Sequence, residues 1–214
     1  MKNYHKNIII LASGNGTNAI NIINHFSNKN TLSDSDLFNI SIKALVCNNL
    51  DAPVINKVKN INNDIKLCCI PFNKTAERIL FEEELSGIVD EYKIDYIILA
   101  GFMKILSDDF VLKNLNKIIN IHPSLLPAFK GKNAIKDAFD YGVKVTGVTV
   151  HFVIPAIDSG PIILQEPVFI EESDTVEFLE EKIHKLEHKI YIKALEIVLL
   201  EKIKIVDNKV KIFE

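Results

Sequence analysis

The stretch NIHPSLLP, residues 120–127, decides how this sequence is interpreted. It continues the apolar run KII, residues 117–119, so a short strand covered on both faces leads directly into an asparagine and a histidine. Residues two apart on a strand project from the same face, which places Asn120 and His122 side by side. Pro123 restricts His122 to an extended backbone and keeps this arrangement to the end of the strand. A buried strand has no packing use for such a pair, so we expect it to have a chemical role.

Strand-like and helix-like segments alternate through the first 121 residues. The short apolar runs typical of strands are NIIILA, ISIKALVC, KLCCI, DYIILA and KIINI, at residues 7–12, 40–47, 66–70, 95–100 and 117–121. Amphipathic helices are predicted after the first run and over residues 75–92. This order predicts an α/β fold with a doubly wound, mostly parallel, Rossmann-like sheet. Ligands bind such sheets at the carboxyl ends of the strands, which is where Asn120 and His122 stand.

The last third of the chain has a different pattern. Residues 144–153 alternate between apolar and polar, and residues 161–170 follow after a turn, so an antiparallel strand pair is predicted. A long helix comes next, and we expect Asp174 to cap it with Glu177 completing a capping box. A small hairpin is predicted around residues 207–208. We expect a single domain over residues 1–214, with a surface loop at residues 27–37.

The composition excludes several classes of function. A net charge of −3 leaves no basic footprint for nucleic acid. The N-terminal apolar run, residues 8–12, is shorter than the roughly 7–15 residues of a signal-peptide core, and the longest run, near residues 96–103, is shorter than the roughly 20 residues of a membrane span. The three cysteines, Cys47, Cys68 and Cys69, are an odd number, which favours free thiols in a reducing cytosol over disulfides or metal ligands. We therefore expect a cytoplasmic protein that acts on small molecules and needs no metal.

The segment SGNGTNA, residues 13–19, lies between the first strand and the first helix. Gly14 and Gly16 allow a sharp turn and a close approach to a ligand, and the helix start favours an anion. Gly14, Gly16 and Ala19 fit a dinucleotide fingerprint, but no acidic residue is well placed at the end of the second strand, since Asp51 lies further along. A P-loop would need a GK[ST] sequence, which is absent. A phosphate monoester cradle is the better functional interpretation, with a plain turn as the alternative.

The Asn–His pair suits the attack of an amine on a carbonyl carbon. An asparagine amide can donate a hydrogen bond to a developing oxyanion, and an imidazole can transfer a proton. Asp158, in the turn DSG after a predicted strand, is the candidate carboxylate that would orient and charge His122, although a DSG turn alone is ordinary turn chemistry. His151 is assigned a structural or outer role. No serine or cysteine nucleophile motif is present, which favours direct transfer to a bound amine.

Five separated motifs carry a family resemblance. They are SGNGTN (13–18), LAGFMKIL (99–106), NIHPSLLP (120–127), VTGVTVHFV (145–153) and the turn DSG (158–160). Together they resemble the phosphoribosylglycinamide formyltransferases, folate-dependent enzymes of purine synthesis, over residues 7–200. The resemblance implies the formyltransferase version of the Rossmann-like fold. It also implies transfer of the formyl group of 10-formyltetrahydrofolate to glycinamide ribonucleotide, without a metal.

The resemblance also implies which residues form the site. The catalytic residues would be Asn120, His122 and Asp158. Glycinamide ribonucleotide would contact Gly16, Thr17 and Asn18 through its phosphate, and His184, Lys185, Leu186 and Glu187 on the last long helix. The folate would contact Arg78, Met103, Lys104, Ile105, Leu106, Asn120, Ile154, Pro155, Ala156, Ile157 and Asp158. Lys104 stands where members often have arginine, which keeps the charge and loses the planar donors.

Three other functions use the same core. Methionyl-tRNA formyltransferase would need a basic C-terminal extension, and formyltetrahydrofolate hydrolase an additional N-terminal domain; neither is expected in this sequence. A catalytically inactive nucleotide-binding module is the third alternative, and the complete set of Asn120, His122 and Asp158 argues against it. We expect a monomer or a homodimer.

Overall fold

A computed structural model gives the fold of most of the chain. The structure describes residues 3–27, 37–61, 64–72 and 74–213. The surface loop predicted at residues 27–37 lies almost entirely outside the described residues. The chain divides into two compact units, Met1–Ile118 and Ile119–Glu214.

The first unit is built on four parallel strands. They are β1 (Asn3–Ala12), β2 (Leu37–Cys47), β3 (Lys66–Cys69) and β4 (Tyr96–Leu99). β1 pairs with β2 on one side and with β4 on the other, and β3 extends the sheet beyond β2. The β-branched and apolar run Ile8–Ala12 is completely buried at the centre, as expected for a strand covered on both faces.

Helices connect the strands of the first unit. They are α1 (Thr17–Ser27), α2 (Pro53–Ile61), a 3-10 turn (Thr75–Glu77), α3 (Arg78–Glu91) and α4 (Asp108–Lys113). α3 buries Phe81, Leu85 and Ile88 at the 3–4 spacing that predicted it. The ring of Phe81 contacts the rings of Phe72 and Phe102, so one aromatic cluster joins α3 to the loops that follow β3 and β4.

The second unit combines antiparallel strands with a long helix. Its elements are β5 (Ile118–His122), α5 (Ala134–Tyr141), β6 (Val145–Phe152), β7 (Ile162–Phe169), α6 (Val176–Leu199), β8 (Ile203–Val206) and β9 (Lys209–Ile212). β6 pairs antiparallel with both β5 and β7, and β8 and β9 form the predicted hairpin. α6 packs against β6 and β7 and buries Tyr191, whose hydroxyl donates to the carbonyl of Ile119 at 3.1 Å.

The predicted cap of α6 is wrong by one residue. Thr175 is the N-cap, and its hydroxyl accepts a hydrogen bond from the N–H of Phe178 at 3.2 Å. Phe178 therefore occupies the third helical position, where a capping box would require a glutamate or glutamine, and Glu177 is at the second position. The carboxylate of Asp174 is instead paired with Lys182 at 2.6 Å, because two turns of helix bring that ammonium back over the helix start.

The predicted fold class is confirmed: parallel strands with helices are followed by an antiparallel strand pair and a long C-terminal helix. The single domain predicted over residues 1–214 stays a prediction. Within the described ranges, no helix combines the length and the apolar content needed to cross a bilayer.

Candidate active site

Three polar side chains meet at the end of β5 in the second unit. Asn120 and His122 project from the same face of this strand, as their spacing predicts. Asp158 lies in the turn that follows β6, and its Oδ2 is 3.5 Å from Nδ1 of His122. The side chains of His122 and Asp158 are 6% and 11% exposed, so the pair is largely shielded from water. The structure therefore brings together the three residues that the sequence singled out.

The two ring nitrogens of His122 have different partners. Nε2 lies 2.8 Å from the backbone carbonyl of Phe129, which can only accept, so Nε2 carries a hydrogen. Nδ1 is left facing the Asp158 carboxylate. An imidazole nitrogen that faces a carboxylate is the arrangement a proton-transfer group requires.

Backbone geometry holds Asp158 against His122. Asp158 has a left-handed conformation, with φ of +46°, and its Oδ2 accepts the N–H of Gly131 at 2.9 Å. Gly160 ends the turn, because a Cβ at this position would overlap the carbonyl oxygen of Phe152. A left-handed non-glycine residue costs conformational energy, and such strain occurs most often at functional sites.

His151 is a fourth member of the cluster, which the sequence analysis left in a structural or outer role. Its Nδ1 donates to the carbonyl of Phe152 at 2.8 Å, and burial lowers its pKa, so the ring is neutral with an unprotonated Nε2. Nε2 lies 3.3 Å from Nδ2 of Asn120 and must accept from it. This hydrogen bond fixes which end of the Asn120 side chain is the amide donor.

The signal that could have identified His151 is strand register. β5 and β6 are antiparallel, and Asn120 lies directly opposite His151. A sequence alone predicts two strands here but not which residues face each other. The Nε2 of His151 is also 3.8 Å from Oδ1 of Asp158, so the four side chains form one group.

This group can perform acyl-type transfer without a protein nucleophile. The Asn120 amide has a second N–H with no acceptor among the described residues, which can donate to an oxyanion, and His122 with Asp158 can move a proton. Within the part of the chain that the structure describes, no group of three or more His, Cys, Asp or Glu side chains is arranged to hold a metal ion.

The glycine loop, residues 13–16, lies in the first unit between β1 and α1, and Thr17 and Asn18 are the first residues of α1. Gly16 has φ of +67°, and a Cβ there would overlap the side chain of Val54 at the start of α2. The N–H of Val54 donates to the carbonyl of Gly14 at 3.2 Å, and Lys57 Nζ donates to the carbonyl of Asn15 at 2.9 Å. α2 therefore shapes a loop that leads into the N-terminus of an 11-residue helix, a geometry suited to phosphate.

The predicted folate residues of the first unit lie in loops and at a helix start. Met103 and Ile105 follow β4 and are more than 60% exposed, whereas Leu106 is buried. The N–H of Met103 donates to the hydroxyl of Ser13 at 2.9 Å, which ties this loop to the end of β1. Arg78 is the first residue of α3. Their contact with a folate stays a prediction.

The remaining predicted contacts lie in the second unit. Residues 154–157 form the loop between β6 and Asp158. His184 and Lys185 are exposed on α6, Leu186 is half-buried and Glu187 is buried. Burial, with a smaller effect from the Glu187 charge, raises the pKa of Tyr191 one turn further along. The assignment of residues 184–187 to the ribonucleotide stays a prediction.

Comparison with known proteins agrees with this fold. The chain matches the formyl transferase family over residues 6–195. Phosphoribosylglycinamide formyltransferase of Bacillus subtilis (strain 168) is 38% identical over 186 residues, which cover 87% of this chain and 91% of that protein. The human trifunctional purine biosynthetic protein adenosine-3 is 40% identical over 191 residues, which cover 89% of this chain. The chain spans only 18% of the length of that human protein.

Solved structures give the same result. The crystal structure of phosphoribosylglycinamide formyltransferase from Anaplasma phagocytophilum superimposes with a TM-score of 0.86 at 34% identity, covering 98% of this chain and 95% of that one. A formyltetrahydrofolate deformylase from Pseudomonas syringae also reaches 0.86, covering 98% of this chain and 66% of that one; at 24% identity this likeness concerns the fold alone.

The fold is an α/β fold, and the geometry of the Asn–His–Asp group is suited to group transfer to or from a carbonyl-type carbon. Together with the match over residues 6–195, they place the chain: it belongs to the formyl transferase family.

Proposed function

We propose that this protein transfers the formyl group of 10-formyltetrahydrofolate to the amino group of N1-(5-phospho-D-ribosyl)glycinamide, a step of de novo purine (IMP) biosynthesis. The observation that carries the proposal is the group formed by Asn120, His122 and Asp158, with 3.5 Å between the imidazole and the carboxylate. Its place in a chain 38% identical to a phosphoribosylglycinamide formyltransferase supports the choice of substrates.

The residues of the group have separate tasks in this reaction. As the amine bonds to the formyl carbon, the formyl oxygen gains negative charge, and the second N–H of the Asn120 amide donates to it. Loss of one such donor typically costs about 2.7–4 kcal/mol of transition-state stabilisation. His122 and Asp158 carry the proton that leaves the amine toward the departing folate nitrogen, a contribution of roughly 10²–10⁴-fold.

Binding of the two substrates would use the residues named from the family resemblance. Gly16, Thr17 and Asn18 receive the phosphate, and residues 184–187 face the ribose. The folate is held by Arg78, Met103–Leu106 and the loop that ends at Asp158. The left-handed conformation of Gly16 and the helix start at Thr17 support the first of these assignments.

The same proposal covers the setting of the enzyme. It acts on small molecules as a single domain over residues 1–214, in the cytoplasm, as a monomer or a homodimer. The net charge of −3 supports the absence of a nucleic-acid partner. No metal takes part, because an amine can attack the formyl carbon directly when Asn120 and His122 receive its charge and its proton.

The test is an assay of purified protein with 10-formyltetrahydrofolate, with and without glycinamide ribonucleotide. We expect loss of the formyl group only when the ribonucleotide is present. Loss without it would indicate a hydrolase, and no loss in either case would contradict transfer to this amine. A His122→Asn variant should lose most turnover and still bind the ribonucleotide. The matched control is His5→Asn, at an exposed histidine of β1.

A further inference from the structure

The loop after β5, residues 124–131, touches both partners of the proton-transfer pair through its backbone. The carbonyl of Phe129 accepts from His122 Nε2 at 2.8 Å, and the N–H of Gly131 donates to Asp158 Oδ2 at 2.9 Å. Phe129 and Gly131 have φ of +48° and +93°. A left-handed phenylalanine persists only where the surroundings hold it, so something must hold this loop.

The start of the loop is held by the hydroxyl of Thr149 on β6. This hydroxyl donates to the carbonyl of Ser124 at 2.6 Å and accepts from the N–H of Leu126 at 3.0 Å. Its second acceptor position is filled by Nε2 of Gln165, at 2.9 Å, which also donates to the carbonyl of Leu126 at 2.9 Å. The hydrogen-bonding capacity of Thr149 is thus completely used, in a position with no exposed surface.

The middle of the loop is linked to this anchor. The hydroxyl of Ser124 donates to the carbonyl of Ala128 at 2.6 Å, one residue before Phe129. Hydrogen bonds therefore link Thr149 to Ser124 and Ser124 to Ala128, and Ala128 precedes in the chain the two residues that touch His122 and Asp158. Thr149 itself lies opposite His122 in the β5–β6 register, so the same strand pair positions the Thr149 hydroxyl and the imidazole.

We propose that Thr149 is a positioning residue for catalysis, which acts through the loop 124–131 on His122 and Asp158. The catalytic part of this inference rests on the proposed formyl transfer. The loop keeps the hydrogen of the neutral imidazole on Nε2 and leaves Nδ1 for Asp158. Without the Thr149 hydroxyl, the carbonyl of Ser124 and the N–H of Leu126 lose a buried partner, and the loop shifts to recover one.

The first test compares three variants. Thr149→Val removes the hydroxyl at nearly constant volume, and Thr149→Ser keeps it. Thr146→Val is the matched control, because Thr146 lies on the opposite face of β6, is equally buried, and its hydroxyl has no hydrogen-bond partner in the described part of the chain. Displacements of about 1 Å can cost about 10²-fold in rate, so we expect Thr149→Val to lower kcat by about 10–10²-fold.

The other outcomes are equally specific. The KM for the ribonucleotide should stay within about twofold, because Thr149 holds the proton-transfer pair and not the phosphate loop. Thr149→Ser should recover most of kcat, and Thr146→Val should match the wild type. A folded Thr149→Val protein with wild-type kcat would overturn the proposal. So would a serine variant that is no better than the valine variant.

The second test reads the imidazole directly and needs no substrate. In ¹⁵N-labelled protein at a pH where His122 is neutral, the nitrogen shifts should show the Nε2–H tautomer in the wild type and a mixture in Thr149→Val. An unchanged tautomer would overturn the proposal even if formyl transfer is confirmed. If wild-type protein shows no formyl transfer but the tautomer responds, the proposed reaction fails and the positioning of His122 stands.

A milder variant covers the case in which Thr149→Val does not fold. Gln165 is exposed, so Gln165→Leu can remove the donors to Thr149 and Leu126 without opening a cavity. We expect kcat to fall in the same direction by a smaller factor, with the same tautomer change. The neighbouring exposed Glu166, changed to Gln, is its control. Wild-type kcat and tautomer in Gln165→Leu would overturn the proposal.

Discussion

At the scale of single residues, the polarity of each contact determines what the side chains can do. Backbone carbonyls of Phe129 and Phe152 accept from one nitrogen of His122 and of His151 respectively. The second nitrogen of each ring then has a defined role, facing the Asp158 carboxylate in one case and accepting from the Asn120 amide in the other. Two ordinary carbonyl groups thereby leave a different nitrogen available on each ring, Nδ1 of His122 and Nε2 of His151.

His151 provides a prediction about the Asn120 amide. Replacement by Phe removes the acceptor for Asn120 Nδ2, so the amide can rotate and present its oxygen to the formyl oxygen. We expect kcat of His151→Phe to fall by about 10²-fold, near the lower limit for losing one oxyanion donor. His151→Gln keeps an acceptor oxygen and should retain more activity than the Phe variant. Steady-state kinetics at pH 7.5 test this order, and equal rates for the two variants would contradict it.

Gly16 provides a prediction about the phosphate loop. Gly16→Ala places a methyl group in overlap with Val54 at a φ of +67°, so the loop must move. We expect at least a 10-fold increase in KM for the ribonucleotide and a lower melting temperature. Gly14→Ala is the control, because its added Cβ would meet nothing within 4 Å. Titration of the ribonucleotide by calorimetry measures the effect, and equal affinities for the two variants would argue against this loop as the phosphate site.

At the scale of elements, the start of α6 is held by an ion pair as well as a cap. Asp174 is buried and its hydrogen bond with Lys182 lowers its pKa below the ordinary 3.8. Its stabilising effect is therefore present above pH 3.8 and is lost as the pH falls through the lower folded-state pKa.

This pH dependence of the Asp174 contribution to stability gives a prediction for Asp174→Asn. The variant should unfold at a lower temperature than the wild type at pH 7, and the difference should shrink as the pH falls below 3.8. Thermal unfolding followed by circular dichroism between pH 3 and pH 7 measures it. Glu172→Gln, at an exposed residue just before the helix, should leave the melting temperature unchanged. A difference that is constant with pH would remove the ion pair from the explanation.

The elements also show how much of the fold can be predicted from the sequence. The strands of the first unit and the helix α3 were predictable, because apolar content and 3–4 spacing are local properties. The cap of α6 was not, since Asp174 and Thr175 are both good caps and the choice depends on Lys182, seven residues beyond Thr175. The same limit applies to the role of His151, which depends on strand register.

The candidate site also has a part that the sequence predicts and a part that it does not. Asn120 and His122 were predictable from a period of two on one strand. Their distance to Asp158 depends on the left-handed conformations of Phe129 and Asp158, which bring separate loops together. Backbone contacts of this kind leave no residue type for a sequence pattern to detect, which is why the loop 124–131 was not assigned a role.

At the scale of the whole molecule, two buried groups limit the pH range of stability. Burial lowers the pKa of His151 below 6.5. Below pH 6.5 the unfolded chain therefore binds a proton at this histidine more readily than the folded chain does, and stability falls as the pH drops. Burial raises the pKa of Tyr191 well above 10.0, so the unfolded chain loses a proton that the folded chain keeps. Stability then falls as the pH rises above 10.0. For these two groups together, the protein is most stable between pH 6.5 and pH 10.0.

Tyr191→Phe separates the alkaline effect from the loss of a hydrogen bond. At pH 7 the variant lacks the bond to the carbonyl of Ile119, and we expect a loss of about 1–2 kcal/mol in the free energy of unfolding. Between pH 9 and pH 11 the wild type should lose stability as unfolded Tyr191 ionises, whereas the variant has no such group and its curve should be flatter. Urea unfolding at several pH values measures both effects. Tyr141→Phe, at a tyrosine that is 80% exposed, should keep the wild-type slope, and equal slopes for wild type and Tyr191→Phe would contradict the assignment.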